Sequence, residues 1–536
     1  ADESVMPQTR EHFHICRLLG VERGLIALTK CDVADADSQA LAEMETRELV
    51  AGSFLDGAPV LRVSARTGQG LEGLREALRT LAHSTRPRGA DGLLRLPIDR
   101  AFTLHGFGTV VTGTLVSGAL AIGEEVEALP SRRRARARGL QVHGSPVQQV
   151  GAGNRTAVNL AGIEVAELAR GDVLARPGTF TPTSILDVEL SLLPGTRPLT
   201  DQTRVRVHIA SAEVLARVRL LQPRPIEAGG SGPAQLRLER RAVAGRGDRL
   251  IVRSYSPATT IGGAVVLDPL APRRRGKAAA VTARAADPAE AAVAMIEEAG
   301  IAGLEGAALS ARVTAPLASI EPRLAADARV VVLGSQPSWF ISAAAVRRIA
   351  DDMRAELERF HAAHPLRAAM PREELRSRLF THAPPPLFDH LLARLATEGR
   401  VRLLADGIAA AGHEVRLSAD EDAARRRLVE AASAAGLEGV DLARVSFGSD
   451  PRLLERVARV LVDEGALRRV GETYVHASAL DALKDEVRRR WPPGSRLEVG
   501  GFKDLTGLSR KFVIPLLEYL DREKVTRRSG ADRVVL

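Results

Sequence analysis

The apolar positions of this chain change their spacing twice, and the changes divide it into three stretches. Over the first eighty or so residues, roughly half the size of an ordinary domain, helical and strand spacings alternate. Pro7 opens an amphipathic helix whose apolar positions are Phe13, Ile15, Leu18 and Leu19. Residues 24–28 (GLIAL) read as a short buried strand, and Ser38 as the N-cap of a second helix reaching about Ser53. Residues 59–63 form the next strand, and residues 71–81 a third helix. Strand and helix in turn predict a parallel, doubly wound sheet. From about residue 93 the pattern becomes short β-branched runs punctuated by glycine, as in residues 110–116, set among Gly106, Gly108, Gly113, Gly118 and Gly123. Residues 93–177 and 185–267 each carry such a set and predict two small β-barrels.

Beyond residue 280 the chain turns Ala/Leu/Arg/Glu-rich and helical, and a repeat shows four times: a long helix, a short helix or turn, a second helix, then a two-stranded wing. The wings expected are 328–333 with 338–342, 399–404 with 414–417, 466–470 with 473–476, and 525–528 with 533–536. A Pro/Gly/Arg linker at 271–277 separates barrels from helices. The expected domains are therefore 1–86, 91–178, 180–270, 281–343, 344–418, 419–478 and 479–536.

Composition changes this picture little. The 536 residues hold 75 Lys+Arg against 66 Asp+Glu, a net charge of +9, which suits a nucleic-acid partner without requiring one. Aromatic residues make up 3%, so the cores must be built from Leu, Val, Ile and Ala. Two cysteines argue against a disulfide scaffold, and with no signal peptide or long apolar run a cytoplasmic location without membrane contact is expected.

The chemistry begins in the loops after the two early strands. A guanine offers an N1–H and an exocyclic amine side by side, and the Asp32 carboxylate can accept both. Lys30 can lay its alkyl stem on the purine face, and the Ala65 N–H, after Ser64, can donate to O6. Thr29-Lys-Cys-Asp32 followed by Ser64-Ala65, both at strand ends, resembles the guanine-specificity loops of GTPases, with Thr29 where that family usually has Asn. The stretch MPQTREH is similar to translation elongation factors. No GxxxxGK[ST] loop occurs in the 536 residues, and residues 1–86 hold no DxxG segment to sense the γ-phosphate. The resemblance implies GTP as cofactor, with Mg2+ supplied through a front segment expected to precede Ala1, and no turnover by this chain alone. His12, His14 and Cys16 make a poor chelate, because His14 points away from the other two on a helix.

Residues 98–123, IDRAFTLHGFGTVVTGTLVSGALAIG, resemble the second domain of translational GTPases, the barrel that cradles the aminoacylated end of tRNA. GDRLIVRSYSPATTIGGAVVLDP and HIASAEVLARVRLL resemble the third domain of selenocysteine-specific elongation factors. In that family two arginines line the amino-acid pocket, and the matching residues are Arg100 and Arg155. A selenol is ionised at neutral pH, so two guanidiniums would favour it over a neutral side chain. The alternative is that both brace loops through surface ion pairs. The run of arginines at 132–138 reads as a solvated strand edge.

In the last repeat Ser509 is placed as N-cap of the second helix, so Arg510 and Lys511 lie at its positive end, and Arg527 and Arg528 lie on the wing. The pattern FxDxxGxSRKxxIPLLEYxDRxxxTRR is similar to the final winged helix of the bacterial factors, which grips the mRNA hairpin downstream of a UGA codon. A charged face that only solvates the domain is the other reading. The resemblance covers nearly the whole chain and implies a partial P-loop-type GTPase domain, two translation-factor β-barrels and tandem winged helices. It further implies delivery of selenocysteyl-tRNA to the ribosome by a monomer. A winged-helix DNA-binding regulator leaves the guanine-type loops and barrels without a role, and the winged-helix tail argues against a general elongation factor.

Overall fold

The computed structural model describes residues 1, 3–85, 91–273, 287–444, 450–530 and 532–536. The 271–277 linker therefore lies outside the described residues from position 274 onward. The chain divides into two compact units, Ala1–Val346 and Arg347–Leu536.

The first unit opens with the strand Ile26–Leu28 running parallel to Val60–Arg62, with Ile26 opposite Val60. Helices Pro7–Leu18, Ala36–Val50 and Leu71–Ser84 alternate with them. Pro7 sits in the first turn, where its missing N–H costs no bond. The second helix starts earlier than expected: Asp35 caps it, accepting from the Ser38 N–H at 2.7 Å. Ser38 is thus inside the first turn, because an aspartate three residues upstream competes better for its amide. Gly70, at φ +70°, lets the loop after the second strand fold back. A Cβ there would meet the Arg62 carbonyl oxygen at 2.1 Å.

Both expected barrels are present. In the first, a seven-stranded sheet closes on itself where Arg155–Ala161 pairs with Arg133–Val142. Its interior holds Leu96, Ile98, Val111, Leu115, Val158 and Leu174. Gly113 is required there, since a Cβ would meet the Pro97 carbonyl oxygen at 2.1 Å. The arginine run is not at an edge: Arg133–Val142 is paired to Glu125–Leu129 on one side and Arg155–Ala161 on the other. Alternation buries Ala135 and Ala137 and turns the arginines outward, which mimics an edge in sequence. The second barrel is closed and six-stranded, filled by Leu186, Val188, Val207, Val218, Leu236 and Val252. Arg95 of the first barrel binds Asp248 of the second through two bonds of 2.5 Å, and the Ser211 hydroxyl donates to the Ile98 carbonyl at 2.8 Å.

The first helix–wing repeat also belongs to this unit. Its helices are Pro288–Ala299, Gly306–Val313 and Leu317–Ala325, and its wing is Val330–Leu333 with Trp339–Ser342. The buried Arg312 reaches out of it to Asp268 at the end of the second barrel, with bonds of 2.6–3.0 Å, and to Glu298 at 3.2 Å. The Arg246 N–H donates to the Thr314 hydroxyl at 2.7 Å across the same junction.

The second unit holds three more repeats. In the first of these the wing is Val401–Leu404 with Gly407–Ala410, not 414–417. Ala405-Asp406 make a two-residue turn right after the strand, and Ile408 further bridges to Met370, so the nearer segment wins. The next repeat has helices Ala419–Ala435 and Pro451–Asp463 and the wing Leu467–Val470 with Thr473–His476. The last has helices Ala477–Arg490, Val499–Thr506 and Arg510–Arg522 and the wing Thr526–Ser529 with Asp532–Val535. Its core of Phe502, Val513, Leu517 and Leu520 also takes in Val470 and Val475 of the preceding wing. A fragment beginning at residue 480 would lose those two side chains.

Candidate nucleotide, aminoacyl and RNA sites

The parallel pair of strands brings the two early loops together. Lys30 adopts the left-handed conformation, φ +59°, which turns the chain sharply after Thr29. The Cys31 N–H donates to the Val63 carbonyl at 3.2 Å and its thiol to Leu28 at 3.1 Å, so Cys31 is buried and Asp32 is presented beyond the strand ends. The buried Ser64 hydroxyl donates to one Asp32 oxygen at 2.5 Å, and Arg66 Nε donates to the other at 2.7 Å. The Ser64 bond holds the Asp32 carboxyl below its ordinary range; partial burial opposes this and Arg66 adds to it. Asp32 is therefore an ionised, oriented acceptor. Ala65 is exposed beside it, in a loop closed by the Gly68 N–H donating to the Ser64 carbonyl at 3.0 Å. Thr29 is exposed just before the turn at Lys30. Arg66 was not singled out from the sequence, although it adjoins the Ser64-Ala65 pair.

On the first barrel Arg100 lies opposite Thr112 and Arg155 opposite Thr114, on the two flanks of the strand Gly108–Thr114. Residues 112 and 114 share a face, so both arginines project from the same side of the sheet. The strand irregularity between Ile98 and Arg100 falls at Asp99, whose carboxylate is ion-paired to Arg155. The pocket candidate is thus three charges, two cationic and one anionic, of which Asp99 was not foreseen. Its adjacency to Arg100 was the available signal. Both arginines are exposed at the sheet surface, where they can meet a ligand.

In the last repeat Ser509 is the N-cap residue of Arg510–Arg522 by its extended backbone, but its side chain makes no capping bond. The Phe512 N–H of that first turn donates instead to the Ser509 carbonyl at 3.0 Å. Arg527 and Arg528 are neighbours in a strand and point to opposite faces of the wing. Arg528 lies opposite Arg533, which is buried and held by Asp521 at 2.9 Å.

Parallel strands ending in base-type loops, two joined barrels and a winged-helix tail define a GTP-binding translation elongation factor. Family comparisons divide the chain in the same way. Residues 1–84 match the elongation factor Tu GTP-binding domain and 108–175 elongation factor Tu domain 2. Residues 186–273 match the β-barrel domain of selenocysteine-specific elongation factors, and 354–407 and 494–535 match winged helices of elongation factor SelB. The chain is 39% identical to the selenocysteine-specific elongation factor of Desulfomicrobium baculatum, over 100% of this chain and 86% of that protein. It is 28% identical to the Escherichia coli factor of the same name, over 100% and 85%. The chain belongs to the family of selenocysteine-specific elongation factors. A crystal structure of a bacterial selenocysteine-specific elongation factor shares the fold, with a TM-score of 0.60 over 100% of this chain and 84% of that one, at 22% identity.

Proposed function

We propose that this chain carries selenocysteyl-tRNA to the ribosome at recoded UGA codons. GTP, with Mg2+, would be held by the complete GTP-binding domain, and an mRNA hairpin by the last winged helix. The observation that carries this reading is the end-to-end likeness to selenocysteine-specific factors, which joins base-type loops, barrels and winged helices in one chain. In this reading Asp32 accepts the guanine N1–H and amine, Lys30 covers the purine, and the Ala65 N–H meets O6. Thr29 and Ser64 hold the two loops in place. Arg66 yields one carboxylate oxygen as the base arrives. Arg100 and Arg155 draw the selenolate to the barrel face, and Asp99 keeps Arg155 extended along the sheet. A neutral serine side chain gains nothing from that field. The domain limits 1–86, 91–178, 180–270, 281–343, 344–418, 419–478 and 479–536 are part of the same proposal, as are Arg510, Lys511, Arg527 and Arg528 as backbone contacts to the hairpin.

The test is binding of selenocysteyl-tRNA and seryl-tRNA by variants Arg100→Ala and Arg155→Ala, in the chain joined to a complete GTP-binding domain. Each is expected to weaken the selenocysteyl form by about 1.5–3 kcal/mol, the worth of a charged hydrogen bond, and to leave the seryl form nearly unchanged. Equal losses for both would assign these arginines to structure.

A further inference from the structure

The helix Pro451–Asp463 of the third winged helix buries Leu454, Val457, Ala458 and Leu461 and exposes the opposite face. On that face Arg452, Arg456 and Arg459 follow at steps of four and three residues, which brings them into one line about 10 Å long. Arg456 and Arg459 form one wall of a cleft of about 350 Å³, and His364 and Arg367, from the turn after the helix Ala343–Ala363, form the other. That turn is fixed. The Arg367 N–H donates to the His364 carbonyl at 3.0 Å, and the Arg367 carbonyl lies 2.9 Å from His413 Nε2. The His364 ring packs on Phe360, with centroids 4.9 Å apart.

The cations of the cleft are poorly neutralised. Among the described residues, Arg367, Arg452 and Arg459 have no carboxylate within ion-pair distance, and Arg456 has only Glu421, at 3.6 Å. Glu421 is engaged elsewhere, accepting from the Ser418 N–H at 3.0 Å and its hydroxyl at 2.9 Å as the cap of its own helix. Asp463 feels the charges of Arg459 and Arg367, but burial, and after it Asp406, pushes its carboxyl up. Guanidiniums brought together on two facing walls repel each other unless an anion enters. A line of about 10 Å is too long for a single small anion and suits a chain of phosphates.

We propose that the cleft between the second and third winged helices is a second RNA site, which holds the phosphodiester backbone of one strand and reads no base. The inference rests on the reading of this protein as an RNA-binding factor and adds a site distinct from the last winged helix. No Trp, Tyr or Phe lines the cleft, so it lacks the stacking platforms of base readers. The terminal module supplies sequence preference, and the cleft supplies affinity common to any RNA.

The test uses the full chain and three labelled RNAs: the selenoprotein hairpin, a tRNA, and a scrambled hairpin, each titrated at several salt concentrations. Arg456→Glu with Arg459→Glu should weaken binding at least tenfold. It should also flatten the salt dependence by roughly 0.7–0.9 log units for each lost phosphate contact, while the ratio of hairpin to scrambled hairpin stays the same. Glu421→Gln, which keeps the helix cap, should tighten binding a few-fold. A loss confined to one of the three RNAs would overturn the claim that the cleft holds any RNA backbone alike. Unchanged affinity and salt slope in the double variant, or loss of the hairpin preference, would overturn the proposal. Absence of RNA binding by the unsubstituted chain would instead overturn the reading on which it rests. Should charge reversal lower the unfolding temperature, Arg452→Gln with Arg459→Gln on the exposed face takes its place under the same criteria.

Discussion

The first and last winged helices share a fold and differ in what their arginines do. Residues 287–343 contain seven acidic residues and three arginines, and all three arginines are engaged. Arg323 binds Asp287, Arg329 binds Asp327 and Glu290, and Arg312 crosses to Asp268 of the second barrel. Residues 477–536 contain nine acidic residues against thirteen lysines and arginines. There the buried arginine, Arg533, turns inward to Asp521 of its own module, while Arg510 and Lys511 stand at the open end of a helix. A buried arginine directed outward makes a joint; one directed inward makes a rigid module whose remaining cations face solvent. The fold alone does not separate a structural spacer from a candidate reader of nucleic acid. The pairing of charges does.

The joint offers the strongest way to break this contrast. Arg312→Met takes the guanidinium away from the buried Asp268 carboxylate and is expected to cost about 3–5 kcal/mol. In calorimetry the first winged helix should then unfold separately from the barrels. Arg312→Met combined with Asp268→Leu should recover much of the loss. A single variant that melts like the parent would remove Arg312 as the joint.

The second winged helix sharpens the comparison through pH. His361 is buried, its ring stacked on His413 with centroids 3.6 Å apart, and its Nε2 accepts from the Ala410 N–H at 3.3 Å. Burial first, then the neighbouring His413, pushes its pKa down to about 4. The folded state thus binds fewer protons than the unfolded chain, where histidine titrates near 6.5. The stabilisation is complete above about pH 6.5 and is lost as pH falls toward 4, by an amount on the order of 2 kcal/mol. Denaturant titrations of the chain at pH 7 and pH 4.5 should show this loss in the second unit, and His361→Asn should abolish the slope. An unchanged slope would place the proton elsewhere.

A smaller effect is expected at the inward arginine. Arg533→Met should loosen the wing against Asp521 and weaken RNA binding about three- to tenfold, roughly 1 kcal/mol, although Arg533 is buried. Losses of that size without a change in salt slope would mark it as a positioning residue. A flattened slope would mean that it touches phosphate.

Much of this architecture was legible in the sequence, because strand–helix alternation, glycine-punctuated barrels and three of the four wings depend on local pattern. The second wing was misassigned because its true partner follows after only two residues, while residues 414–417 carried a similar apolar alternation. Asp32 and Ser64 were readable because each lies in the loop that directly follows a strand. Arg66, Asp99 and the Arg312–Asp268 joint were not, since register and tertiary approach bring those partners together. The cleft lies between Arg367 and Arg459, far apart in sequence, and only the folded chain makes it a single site.

The most direct test of the account is a titration of the chain with the hairpin from a selenoprotein message of its own organism, against a scrambled hairpin and a duplex DNA, across a range of salt. The native hairpin is expected to bind tightest. Arg510→Ala with Lys511→Ala should remove that preference, and affinity for every RNA should fall steeply as salt rises. Equal binding of all three, or preference for the DNA, would contradict it and favour a DNA-binding role for the winged-helix tail.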